Sequence, residues 1–397
     1  MPSARAFDGV VSPTILRGMN PALRALKPYP MAELQARKAA LASAGVRVFD
    51  FGTGDPIEPT PSFIPEALRQ AIPAVSQYPS VAGTPALRRA AADYLRRRFQ
   101  VTVDPETQVL PSAGSKEAIF HLPLAFLDPA SGRDTVIHGT PGYPVYQHGT
   151  LFAHGREHAV VLTRERGFRL ELERLPREVL GRTAIAWFNY PHNPTGACVD
   201  RAYLAAQAAI CAEHGILFAS DECYQDLWFA DAVEPPPSIL EVATTGVLAF
   251  HSCSKRSGMT GYRSGFIAGD ATLIKAYRGW RAAMGVGSPA FIESAAAMAW
   301  RDDAHAEARR AIFAAKYRLL VDGLHALGIA TLPSSAGLYI WAQAPGADAE
   351  AYAKRCLDAG IVVSPGPFFG DGGDGWFRLA LVPSLDDCRA ALAAWPR

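Results

Sequence analysis

The sequence predicts an α/β protein, with a mainly parallel sheet between helices and a smaller α+β domain toward the C-terminus. Two observations carry this. In the middle of the chain short apolar runs alternate with longer helix-like stretches, the order that brings parallel strands under covering helices. After about Ser288 the character changes to a long Ala- and Arg-rich helical region, followed by short apolar runs. In chain order the candidate strands are TVIHG (135–139), TAIAWFN (183–189), ILFAS (216–220), VLAFHS (247–252) and RSGFIAG (263–269). Between the second and third, DRAYLAAQAAICAEHG has helical apolar spacing and stops at Gly215, and between the third and fourth EPPPS reads as a surface loop. LYIWAQ, GIVVSPG and WFRLALV suit strands of the smaller domain, and the N-terminal part, with helix-like MAELQARKAALASAG, has no sheet of its own. The expected units are an N-terminal segment, 1–45, packing with the small domain, a large domain, 46–288, and a small domain, 289–397.

At 397 residues, 49% hydrophobic and 19% charged, the chain can bury a large core. A formal net charge of +1 leaves no electrostatic footprint for nucleic acid or an acidic membrane surface. Small molecules or a second copy of the chain are therefore the expected partners. MPSARAFDGVVSPTILRGMN lacks the basic start and apolar core of a signal peptide, and no apolar run would span a bilayer. A cytoplasmic protein is expected. The six cysteines show no CxxC spacing and are expected as buried thiols; the ten histidines form no HExxH pattern, and no metal is expected.

Polar segments collect just after the candidate strands, where ligands of α/β sheets bind. In PSAGSKEAIF, Gly114 and Ser115 precede a helix-like run whose N-terminal N–H groups could hold a phosphate. Tyr143 in TPGYPVY could stack on a flat ligand, and Asn193 in NYPHNPTG could aim its amide into the same crevice. Asp221 follows ILFAS directly, where a carboxylate needs a positive partner or hydrogen-bond donors. HSCSKRSGMTGYRSG sets Lys255 among serines and arginines directly after VLAF. Pyridoxal phosphate fits all of these: an aldehyde for Lys255, a ring face for Tyr143, a ring nitrogen for Asp221 and a phosphate for the cradle, to which Ser252 and Arg263 add ligands. Asn193 and Tyr224 can serve its phenolic oxygen.

These residues resemble the class I/II aminotransferases of fold type I, dimeric pyridoxal-phosphate enzymes. The likeness runs through GTGDP (52–56), QYPSVAGTPALRRA, GSKEA, PGYPVY, NPTG, SDECY, SKRSGMTGYRSG, AGLYIW, VSPGPFFG and RLAL. It implies a seven-stranded sheet in the large domain and a homodimer with shared active sites. It also implies that Lys255 bonds the cofactor, Asp221 pairs with the ring nitrogen, and Gly114, Ser115, Ser252 and Arg263 bind phosphate. Tyr78 would reach the neighbouring subunit's phosphate. Arg378 would clamp the substrate α-carboxylate, with Asn193 and Gly54 also at the substrate.

The implied reaction is amino transfer to 2-oxoglutarate. A β-lyase acting on sulfur amino acids would need the same residues, and a non-catalytic effector-binding domain is a third alternative. Within the family the motifs look most like the succinyldiaminopimelate transaminases, with a general aspartate, alanine or aromatic aminotransferase as the competing expectation. An aspartate enzyme would carry a second arginine shortly before Pro289; gapless placement puts Ala283 there, beside Gly285 and Gly287. Lys27, Lys116 and Arg281 are candidates to meet a distal succinyl carboxylate, each alternatively a solvated charge.

Overall fold

The computed structural model describes residues 20–26, 38, 41, 43, 45–229 and 234–396. The expected packing of 1–45 therefore lies largely outside the described residues, as does Lys27.

The strands, in chain order, are β1 (Phe49–Asp50), β2 (Val109–Ser112), β3 (Thr135–Thr140), β4 (Arg156–Val161), β5 (Thr183–Asn189), β6 (Leu217–Asp221), β7 (Val247–Ser252), β8 (Gly265–Gly269), β9 (Tyr339–Gln343), β10 (Ile361–Val362), β11 (Ser364–Pro365) and β12 (Trp376–Ala380). Seven of them form one sheet in the order β2-β8-β7-β6-β5-β3-β4. β8 runs antiparallel to both its neighbours, and the other pairings are parallel. β5, β6 and β7 are buried at every position, as strands covered by helices on both faces must be, so they read as continuous apolar runs. β2 and β4 were not among the expected strands because they are edges. β2 contains Pro111, which an edge tolerates, and β4 alternates exposed with half-buried positions. β8 begins at Gly265 instead of Arg263, whose φ of 55° is left-handed and cannot continue a strand.

β11, β12 and β9 form a second, antiparallel sheet, and β1 pairs in parallel with β10. Phe49 and Phe51 share a core with β9, β10 and β12, while helix Ala290–Arg301 shares one with the large sheet. No helix among the described residues is long and apolar enough to cross a membrane. Of the six cysteines, Cys198 and Cys223 are partly exposed instead of buried.

Candidate active site

Beyond the carboxyl ends of β5, β6 and β7 lies a cavity of about 480 Å³. It brings together Gly54, Ser115, Tyr143, Asn193, Asp221, Tyr224, Ser252, Lys255, Arg263 and Arg378, from segments spread along most of the described chain. Gly114 adjoins it at the start of helix Ser115–Phe126. Tyr78 lies apart from it, 102% exposed.

Pairing in register puts Asn189, the last residue of β5, beside Asp221, the last of β6. Asn189 Nδ2 donates to the Asp221 carbonyl at 2.9 Å, and Asn189 Oδ1 accepts the Asn193 N–H at 2.9 Å. The peptide bond between Asn193 and Pro194 is cis. The Asp221 carboxylate is buried, accepting the Tyr146 hydroxyl at 2.8 Å and the Cys223 N–H at 3.3 Å. Burial raises its pKa above the ordinary aspartate value, against the downward pull of those hydrogen bonds.

Lys255 sits in the short helix Cys253–Arg256 that follows β7, where Ser252 Oγ caps the turn by accepting the Ser254 N–H at 3.2 Å. The Lys255 amine donates to the Gly54 carbonyl. Burial pulls its pKa down to about 8, the charges of Arg378 and Arg263 add to this, and Asp55 and Cys223 oppose it. Such an amine is neutral for a useful fraction of the time near neutral pH.

At the other end of the cavity is an anion cradle. Gly114 has φ +80°, and a Cβ built there would stand 2.5 Å from Arg263 Nη2. Only glycine lets that guanidinium lie against the helix start, where N–H groups and the dipole favour negative charge. Ser252 and Ser254 hydroxyls, 3.0 Å apart, adjoin it. Ser115 Oγ accepts from Cys223 Sγ at 3.0 Å.

Arg378, on β12, is buried with its planar fork fixed in place. Nη1 donates to Asn193 Oδ1 at 2.9 Å and Nη2 to the Gly52 carbonyl at 2.7 Å. Tyr339 and Phe369 cover its faces, with ring centroids 4.3 and 4.5 Å away. Its Nε is buried with no hydrogen-bond partner among the described residues.

Arg281 is neither a solvated charge nor free for substrate. It is buried, and its fork meets Glu117 at 2.8 and 2.9 Å. Glu117 in turn accepts the Ala113 N–H at 2.8 Å, bracing the cradle's helix. Burial is the largest influence on Glu117 and acts upward, yet hydrogen bonds from His121 and Arg281 bring its pKa down to about 2. Lys116 is exposed in the first helical turn and also lines the cavity. Ala283, Gly285 and Gly287 do not line it; Gly287 lies against Pro79. Sequence reasoning missed Asn189, Tyr146, Cys223 and Tyr339. Asn189 was legible as the polar end of TAIAWFN; Tyr339, whose hydroxyl meets that of Tyr224 at 3.0 Å, stands in AGLYIW among residues that read as plain strand.

A family model described as aminotransferase class I and II matches residues 46–394. The LL-diaminopimelate aminotransferase of Desulforudis audaxviator is 40% identical over 367 residues, 91% of this chain and 92% of that one. The LL-diaminopimelate aminotransferase of Aquifex aeolicus is 36% identical over 367 residues, 91% and 94% of the two chains. Among solved structures, an aminotransferase from Neisseria meningitidis superposes with a TM-score of 0.88 at 30% identity, covering 95% of this chain and 100% of that one. The aspartate aminotransferase of Thermus thermophilus with maleate gives 0.86 at 30% identity, covering 95% and 98%.

Proposed function

The chain belongs to the class I and II aminotransferases, pyridoxal-phosphate enzymes of fold type I, and from that premise we propose that it transfers the amino group of a diaminopimelate-skeleton donor to 2-oxoglutarate. The observation that carries the chemistry is one cavity shared by a lysine with its pKa drawn to about 8, a buried carboxylate and a buried guanidinium with an unmet donor.

The residues fit the cofactor. Asp221 would face the ring nitrogen, where a carboxylate destabilised by burial gains from a cationic partner. Arg263, Ser115, Ser252 and the Gly114 backbone would hold the phosphate, and Tyr143 would cover the ring. Asn193 Nδ2, left free because Oδ1 is taken by Arg378, would donate to the phenolic oxygen together with Tyr224. Pyridoxal phosphate, when bound, supplies an electron-withdrawing ring that takes up the charge left at the donor's Cα. Arg378 binds the donor's α-carboxylate in a bidentate pair and fixes Cα over that ring. Lys255 Nζ, as the neutral amine, takes the proton from Cα.

Alanine at position 114 would meet Arg263 at φ +80° and ψ 158°, a backbone region open essentially to glycine alone, a strain of about 1 to 3 kcal/mol before any clash. Gly114→Ala is therefore expected to weaken pyridoxal phosphate binding by about tenfold or more, read from equilibrium titration of the cofactor's absorbance. Unchanged affinity would argue against the cradle.

For the donor, the names of the relatives support unmodified LL-diaminopimelate. One observation favours the N-succinyl form: Lys116 stands at the cavity, and among the described lining residues the sole acid is the buried Asp221. The far end of the succinylated donor is net negative, whereas that of free diaminopimelate is a zwitterion. The deciding experiment compares kcat/KM for both donors, aspartate, alanine and an aromatic amino acid at fixed 2-oxoglutarate. A diaminopimelate donor should exceed the others by about tenfold or more, about 1.4 kcal/mol of transition-state binding; aspartate or an aromatic donor in front would overturn the proposed substrate. Rapid release of pyruvate and ammonia from a sulfur amino acid would point instead to the β-lyase.

We also propose a cytoplasmic location and a homodimer; the homodimer is supported by Tyr78, fully exposed and outside the lining of its own cavity, where a neighbouring subunit's cavity could receive it.

A further inference from the structure

Lys316 lies in the middle of helix Ala304–Ala326 and is 0% exposed. Its ammonium donates to the Glu58 carboxylate and to the carbonyls of Leu381 and Val382 at 3.2 and 3.1 Å. Three acceptors match the three donors of an ammonium group. The other Glu58 oxygen is buried without a hydrogen-bond partner among the described residues, so the hydrogen bond to this carboxylate comes from Lys316, with the Arg309 charge acting on it as well.

The acceptors belong to the two segments that seat Arg378. Leu381 and Val382 directly continue β12, which carries Arg378. Glu58 ends the stretch 50–58, whose Gly52 carbonyl accepts from Arg378 Nη2 at 2.7 Å and whose Gly54 carbonyl accepts from Lys255. At the other end of this stretch Asp50 Oδ1 accepts the Gly52 and Thr53 N–H groups at 2.9 and 3.3 Å. Arg378 and Lys255 thus both rest on one backbone strap, with Asp50 at one end and Glu58 at the other. A buried ion pair is a poor route to stability, because an apolar side chain of similar volume does as well. A methionine could fill the space of Lys316 but could not hold three oxygens from two segments at fixed separation.

We propose that Lys316, acting through Glu58, Leu381 and Val382, is a positioning residue that sets the strap and β12 in register, so that the Arg378 fork meets the α-carboxylate of donor and acceptor alike. This rests on the reading of Arg378 as the α-carboxylate clamp. An α-carboxylate contact is made in ground state and transition state together, so a loosening small enough to keep Cα over the ring raises KM more than it lowers kcat.

The test uses the holoenzyme of Lys316→Met and of Glu58→Gln, the latter keeping shape and an acceptor oxygen should the former fail to fold. In the folded variants KM for the amino donor and for 2-oxoglutarate should rise together by about tenfold, with kcat within about threefold and pyridoxal phosphate affinity unchanged. Unchanged KM values, or a loss confined to kcat or to cofactor affinity, would overturn the inference. Arg378→Lys separates the two levels. If it leaves both KM values unchanged, the clamp itself is wrong; if it raises them while the Lys316 and Glu58 variants do not, Lys316 has only a structural part.

Discussion

Lys255→Ala is expected to lower turnover by ~10⁴-fold or more, because on the proposed assignment it removes both the covalent attachment and the base that moves the Cα proton. The assay follows keto-acid-dependent consumption of the donor by holoenzyme. The cofactor should still bind through Arg263, Ser115, Ser252 and the Tyr143 ring, so loss of turnover should not mean loss of cofactor. The same lysine predicts a pH dependence. Burial holds its pKa at about 8, below the ordinary 10.5. Since the neutral amine is the reactive form, the rate at which cofactor-free protein takes up pyridoxal phosphate should climb about tenfold per pH unit below 8 and level off above it. The stability linkage has the matching sign: between about 8 and 10.5 the unfolded chain binds the proton that the folded one has lost, so this group's contribution to stability rises with pH through that window. Turnover of the alanine variant within tenfold of wild type would contradict the assignment.

Asp221→Asn is expected to cut kcat by about 10³-fold, since on the proposed assignment replacing the anion that faces the ring nitrogen forfeits about two to three pKa units of preference for the protonated ring. The asparagine keeps the shape and can still accept the Cys223 N–H, so the loss would report charge more than packing. Single-turnover measurement of the first half-reaction checks this, with cofactor saturation confirmed by absorbance. A variant with near wild-type kcat would place the ring nitrogen elsewhere.

Much of the fold was legible because its central strands are buried on both faces and announce themselves as apolar runs: TAIAWFN and VLAFHS match β5 and β7 residue for residue. The edges were not, since VLPS and REHAVV carry proline and charge where a sheet meets solvent. In the site, legible residues such as Asp221 and Lys255 are those whose chemistry follows directly on an apolar run. What escaped depends on partners remote in sequence. Arg281 looks like a surface charge until its fork is seen on Glu117, 164 positions away, and Tyr146 looks like a core aromatic until its hydroxyl is seen on Asp221, 75 positions away. Lys316 and Glu58 are 258 positions apart, and nothing local to either marks the pair.

The most direct test of the central claim is borohydride reduction of the purified holoenzyme followed by peptide mapping. The cofactor should be fixed to the peptide containing HSCSKRSGMTGYR, on Lys255. A label on any other lysine would contradict it.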